Sequence, residues 1–288
     1  MRIRDLGLAR VMDINSVQVP TFFYGTAWKE EATEGLTDQA LQAGFLGIDT
    51  ANQRKHYFEE AVGKAVIRHI QTGYTKRSQL FLQTKFTYKE SQDERIPYDI
   101  HADYSTQVRQ SFASSLEHFQ TDFIDSYVLH GPLRREGLAK GDWEVWRIME
   151  ELYGQGKIRL LGVSNVSHTQ LQELLDGAKV APTFVQNRCY ARLGWDAAVR
   201  KICYQHGVIY QGFSLLTANR KEMKDKRLHD IASRVHRTPV QVVFRFAMHR
   251  GMLPLTGTTD PKHMKEDLSV YDFSLTEDDL NVIEKLSF

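Results

Sequence analysis

One repeated feature constrains this chain most: eight short runs rich in Val, Ile, Leu, Phe and Tyr, separated by stretches that are apolar at helical spacing. The runs are Thr21 to Tyr24, Leu46 to Ile48, Leu80 to Gln83, Phe123 to Leu129, Arg159 to Val163, Phe184 to Val185, Val208 to Gln211 and Met252 to Leu255. They are mostly continuous rather than alternating, as expected of strands buried on both faces. Between them, Thr37 to Ala43 stops at Gly44, a glycine placed to end a helix. Phe58 to Ile70, Tyr104 to Phe119 and Trp143 to Tyr153 repeat apolar residues at i, i+3 and i+4. Thr238 before Pro239 reads as an N-cap followed by a first-turn proline. Thr276 to Asp279 reads as a capping box with Asp in place of Glu.

Strand–helix alternation argues for parallel βαβ units, and eight of them in 288 residues fit a closed (β/α)8 TIM barrel better than an open doubly wound sheet. No strand is followed by G-x-G-x-x-G, and no G-x-x-x-x-G-K-[ST] occurs, so no Rossmann domain is expected. Residues 1–20 read as an extra N-terminal element, a hairpin that plugs the barrel floor. No repeat or interdomain linker interrupts the chain, so one barrel domain over 1–288 is the expectation. Three connections that follow strands are long: 87–103, 131–142 and 214–227. Loops after barrel strands surround the active mouth, and long ones are usually functional.

The totals exclude several classes. A net charge of +1 gives no global field for nucleic acid or anionic lipid. The basic run Arg220, Lys221, Lys224, Lys226, Arg227 is interleaved with Glu222 and Asp225 and reads as a solvated face. The two cysteines, Cys189 and Cys203, form no CxxC and lie near no histidine at ligand spacing, so neither a metal site nor a disulfide is expected. No apolar leader and no span of ~18 apolar residues occurs. The expectation is a cytoplasmic protein with no membrane partner, monomeric or weakly oligomeric.

The strands stop on Thr26, Asp49, Lys85, His130, Ser164 with Asn165, Gln186, Gln211 to Ser214, and Thr256. In a barrel these converge on one face. With Tyr57, eight residues beyond Asp49 (57 − 49 = 8), they suggest proton transfer at a carbonyl. A tyrosine titrates near ~10, and an ammonium such as Lys85 would lower that value. Asp49 could pair with Lys85, and His130 could hydrogen-bond the substrate oxygen. The set contains no nucleophilic triad, paired acid carboxylates or metal cluster.

From about Val19 to Leu286 the chain resembles the aldo-keto reductase superfamily. The resemblance is carried by Gly25-Thr26, Gly47-Ile48-Asp49-Thr50-Ala51, Tyr57 with Glu60-Ala61-Val62-Gly63, Leu80 to Lys85, Asp125 to His130 with Pro132, Gly156-Lys157-Ile158-Arg159, Gly162-Val163-Ser164-Asn165, Gln186-Asn187 and Pro254 to Asp267. It implies NAD(P)H-dependent reduction of an aldehyde or ketone on a barrel. Tyr57 would be the general acid, with Asp49 and Lys85 tuning it and His130 orienting the carbonyl. Ser164, Asn165 and Gln186 would hold the carboxamide and Phe213 would stack on the nicotinamide. Ser214, Leu215 and Leu216 would line the pyrophosphate. Thr256, Gly257 and Thr258 would meet the adenosine phosphate end, with His263, Glu266 and Asp267 nearby. Thr26 would belong to the same cofactor wall, with NADP(H) expected over NAD(H).

The chain departs from the family's pattern in places. Many members place the tyrosine about five residues after the aspartate, where this chain has Arg54. Leu255 and His263 stand where NADP-preferring members often carry Lys and Arg, with Lys262 a candidate substitute. Gly131 stands where many have Trp, leaving Trp28, Phe58 and Leu133 as the apolar substrate wall. If the loop 52–56 bulges outward, Tyr57 reaches the mouth and Arg54 and Lys55 face the entrance; otherwise His56 takes that place. Two other readings stay open: a Schiff-base aldolase through Lys85, and a cofactor-binding regulatory barrel without turnover.

Overall fold

Each of the eight apolar runs becomes a parallel strand, laid down in chain order around a closed barrel. The structure, a computed structural model, describes residues 9–287. After an antiparallel hairpin of β1 (Val11–Ile14) and β2 (Val17–Pro20) come β3 (Phe23–Gly25), β4 (Gly47–Asp49), β5 (Phe81–Phe86), β6 (Ile124–Leu129), β7 (Ile158–Ser164), β8 (Phe184–Arg188), β9 (Ile209–Phe213) and β10 (Met252–Thr256). Neighbours in sequence pair in space, and β10 pairs with both β9 and β3 to close the ring. The expected fold class is the one found.

The connecting helices are α1 (Thr33–Ala43), α2 (Glu59–Gln71), α3 (Tyr104–Phe119), α4 (Lys140–Gly154), α5 (His168–Gly177), α6 (Ala197–His206), α7 (Lys226–Arg234), α8 (Pro239–His249), α9 (Pro261–Asp267) and α10 (Glu277–Glu284). Thr238 and Thr276 cap α8 and α10 through Gln241 and Asp279, as the sequence predicts. Two helices begin earlier than their apolar periodicity. α1 starts at Thr33, whose hydroxyl donates to the Glu30 carbonyl. α4 starts at Lys140 because the Asp142 carboxylate accepts the Ala139 N–H at 2.7 Å and the Leu133 N–H at 3.0 Å. The polar or weakly periodic sequences of α5, α6, α7 and α9 gave no clear signal. The basic run at 220–227 lies at a short turn and the start of α7, where Arg227 pairs with Asp225 and Lys226 with Asp230 at the surface.

Strand alternation divides the side chains. Outward residues such as Phe22, Tyr24, Ile48, Leu82, Tyr127, Leu161, Val163, Val185 and Tyr210 pack in one large core with residues of the helices. Inward residues stack in layers. The lower layer is Phe23, Phe81, Leu160, Phe184, Ile209, Leu253 and Leu255, and the hairpin adds Met12, Val17 and Val19 beneath it. The N-terminal hairpin therefore closes the floor over residues 11–20; residues 1–8 lie outside those described. Higher up β4, β5, β8 and β9 the interior turns polar: Asp49, Gln83, Lys85, Gln186 and Gln211 are all buried. No helix among the described residues is long and apolar enough to cross a membrane.

Candidate active site

The polar layer is a single hydrogen-bonded unit. One Asp49 carboxylate oxygen (Oδ1) accepts from Lys85 Nζ at 2.7 Å, Gln83 Nε2 at 2.7 Å and Gln186 Nε2 at 2.9 Å. The Gln211 side-chain oxygen accepts from Gln83 at 2.8 Å and Gln186 at 3.0 Å, and its amide returns a bond to Gln83 at 3.1 Å. Lys85 also donates to the Thr50 carbonyl at 2.7 Å. Both charges are out of water, and such a pair is tolerated only with good hydrogen bonding; here Asp49 Oδ1 accepts three bonds and Lys85 donates two.

Tyr57 stands above this layer. Its ring centroid is 5.2 Å from Lys85 Nζ and 5.8 Å from the His130 ring. The longer loop therefore bulges, and Tyr57 reaches the mouth. The bulge is pinned by Gln53 Nε2 to the Ser91 carbonyl at 2.6 Å and by Asn52 Nδ2 to the Ser111 carbonyl at 3.0 Å. His56 lines the mouth beside Tyr57 and packs against Trp28, the rings tilted with centroids 4.0 Å apart. Arg54 does not face the cavity: it pairs with Glu31 at 3.0 Å and lies over the Phe58 ring at 3.8 Å.

Electrostatics correct one expectation. The Tyr57 phenol is pushed up rather than down, by burial and then by the Asp49 charge. Lys85, whose charge is engaged by Asp49 and the Thr50 carbonyl, is itself lowered, chiefly by burial against the opposing Asp49 charge. Burial, Lys85 and His56 hold the His130 imidazole well below its usual range, so it is neutral. His130 Nδ1 meets the Thr87 hydroxyl at 2.6 Å.

These groups open into a cavity of about 610 Å³. Of the residues expected from sequence, Asp49, Tyr57, His130, Ser164, Asn165, Gln186, Phe213, Ser214, Leu215, Leu216, Thr256, Gly257, Thr258, His263, Glu266, Asp267 and Trp28 line it. Four do not. Lys85 is buried beneath the floor of the mouth. Thr26 turns its hydroxyl to the Asp49 carbonyl at 3.0 Å and holds β3 to β4. Phe58 is covered by Arg54, and Leu133 packs against the helical core. The sequence reading missed Gly25, Ala27, Arg188, Thr217, Thr238, Val240, Phe244 and Leu255 as wall residues. Arg188 had a visible signal, since it follows Gln186 by one inward step on β8. Thr238, Val240 and Phe244 come from α8 and had none.

At the wall, Ser164 donates to the Gln186 carbonyl at 2.6 Å, and Asn165 donates to the His130 carbonyl at 2.8 Å. Asn165 adopts a left-handed backbone (φ 55°) that turns its side chain across the strand end. At the far end, Asp267 accepts from the Thr256 hydroxyl at 2.7 Å, and burial raises its carboxyl to about 7.

A family model described as Aldo/keto reductase family matches residues 21–287. The glyoxal reductase of Bacillus subtilis is 30% identical over 95% of this chain and 91% of its own length. An uncharacterised oxidoreductase of the same organism, YtbE, is 29% identical over 95% of this chain and 91% of that protein. The crystal structure of an aldo/keto reductase from Brucella melitensis superposes with a TM-score of 0.83 at 24% identity, covering 97% of this chain and 98% of the other.

Proposed function

The chain belongs to the aldo/keto reductase family and is an oxidoreductase, and on that premise we propose that it reduces aldehyde or ketone groups to alcohols with a nicotinamide coenzyme, Tyr57 acting as general acid. The observation that carries this reading is the stack at the mouth: Tyr57 over Lys85, Lys85 paired to Asp49, and His130 beside the phenol.

The wall suits the coenzyme. A carboxamide needs acceptors and a donor, and the Ser164, Asn165 and Gln186 side chains supply hydroxyl and amide groups at one place. Phe213 offers a flat apolar face beside them, and the cavity runs on past Ser214 to Leu216 towards Thr256, Gly257 and Thr258. A reduced nicotinamide held there would supply the hydride for the carbonyl carbon. The chain's own groups handle the oxygen. Thr87 meets Nδ1 of neutral His130, and the tautomer that serves this reaction accepts the Thr87 hydrogen bond at Nδ1 and carries its own proton on Nε2 to hold the carbonyl oxygen. The raised phenol of Tyr57 stays protonated until negative charge grows on that oxygen, then donates. The Lys85 ammonium beneath the ring stabilises the phenolate left behind, in a site dry enough to strengthen the interaction. We take NADP(H) over NAD(H) on the family likeness, with Lys262, next to His263 of the wall, as the cation for a 2′-phosphate.

A Schiff base through Lys85 is disfavoured, because Nζ is buried, bonded to Asp49 and the Thr50 carbonyl, and off the cavity wall. The test is nicotinamide-absorbance kinetics with NADPH and NADH against aldehydes, dicarbonyls, sugars and ketones. Oxidation of the coenzyme that depends on the carbonyl is expected. Coenzyme binding without turnover across the panel would favour the regulatory barrel instead.

A further inference from the structure

Glu59 is a buried carboxylate that the reaction does not touch, at the first position of α2 and two residues beyond Tyr57. Its four hydrogen bonds reach two other elements. On β5 it accepts from the Thr84 hydroxyl, one residue before Lys85. On α3 it accepts from Ser115 at 3.1 and 3.0 Å through its two oxygens and meets His118 Nδ1 at 2.7 Å. Ser115 also takes a bond from Asn52 of the bulged loop at 3.4 Å. The closeness of α2 to α3 depends on Gly63, since a Cβ there would collide with the His118 carbonyl.

We propose that Glu59 is a positioning residue for the proton donor: it locks the helix start that carries Tyr57 to the strand that carries Lys85, using α3 as the backing. This rests on Tyr57 being the acid. The chain needs such a lock because the loop from Asp49 to Tyr57 is long, and a loop alone holds a side chain poorly. The charge on Glu59 has two consequences. Burial pulls His118 down, but the Glu59 bond and charge, with Glu60 and Glu117, outweigh it and leave the imidazole raised. Lys85 is faced by Asp49, Glu59, His130 and Tyr57, and the Glu59 charge helps to keep it protonated.

The test uses the full chain with Glu59→Gln, which keeps shape and removes charge. Tyr57 is followed by NMR of 13C-labelled tyrosine, its resonance assigned with Tyr57→Phe. Coenzyme affinity is read from tryptophan fluorescence, and kcat is measured across pH. A displaced donor costs about tenfold to ~100-fold in kcat. We expect that loss in Glu59→Gln, a shifted Tyr57 resonance, coenzyme affinity within about twofold of wild type, and an alkaline limb moved to lower pH. Thr84→Val is expected to lower kcat without moving the alkaline limb, and it decides the matter if Glu59→Gln does not fold. Unchanged kcat and an unchanged Tyr57 resonance, with only thermal stability lost, would overturn the proposal. If the wild-type chain reduces no carbonyl, the reductase reading fails, yet the Tyr57 resonance still reports whether Glu59 sets its position.

Discussion

The lower and upper halves of the barrel interior are built by the same strands two residues apart, yet they answer to different demands. On β5, Phe81, Gln83 and Lys85 point inward in succession; on β8, Phe184 and then Gln186; on β9, Ile209 and then Gln211. Below, burial of aromatic and branched side chains against the hairpin stabilises the fold without any partner requirement. Above, buried polar groups need partners, and Asp49, Lys85 and the three glutamine side chains meet one another only by being correctly placed. The floor can therefore be loosened at a cost in stability alone, whereas the mouth cannot change without changing the chemistry.

The sharpest way to break that contrast is Tyr57→Phe. A general acid contributes about 10²- to 10⁴-fold, and we expect carbonyl reduction to fall by that factor while coenzyme affinity and melting temperature stay near wild type. A variant that kept most of its turnover would show that the mouth's chemistry lies elsewhere. Lys85→Met should damage turnover on a similar scale and, unlike Tyr57→Phe, should also cost about 3–5 kcal/mol of stability, because Asp49 would be left as a buried carboxylate without its cation. Urea unfolding of the two variants side by side separates the roles.

The floor gives the converse. Phe81 is fully buried and packs edge-on to Phe23 and Phe184 with centroids at 5.5 and 6.1 Å. Phe81→Ala should cost about 3–5 kcal/mol by chemical denaturation, with kcat per folded molecule within about twofold of wild type. A large loss of kcat in a folded Phe81→Ala protein would mean that the two halves are coupled.

Sequence legibility follows the same division. The strands were readable because burial on both faces demands continuous apolar residues, and strand ends such as Asp49 and His130 were readable because a barrel delivers them to one mouth, with Lys85 just beneath it. The direction of the Tyr57 shift was not readable, because it depends on how deeply the ring is buried and on Lys85 being already engaged by Asp49. From sequence Gln83 reads only as the end of an apolar run, since nothing local says that its amide meets Gln211, 128 residues away. Phe58 looked like substrate wall by adjacency to Tyr57, but Arg54, turned back towards Glu31, covers it.

The last predicted effect concerns the other end of the mouth. Asp267 is buried, bonded to Thr256, and raised to about 7, first by burial and also by Glu266, against the lowering effects of the Thr256 bond and His263. An unfolded aspartate titrates near ~3.9. Between those values the folded chain retains a proton that the unfolded chain has released, so this group's contribution to stability falls as pH rises from about 4 to about 7, by at most about 1.4 kcal/mol per unit, and is flat above. Asp267→Asn cannot titrate. The unfolding free energy of wild type minus that of Asp267→Asn, measured by urea at pH 5, 6, 7 and 8, should therefore decline up to pH 7 and then level. A flat difference would mean that the carboxyl is ionised throughout and adequately solvated, and that the cost of buried polar groups is confined to the layer around Asp49 rather than shared by the whole mouth.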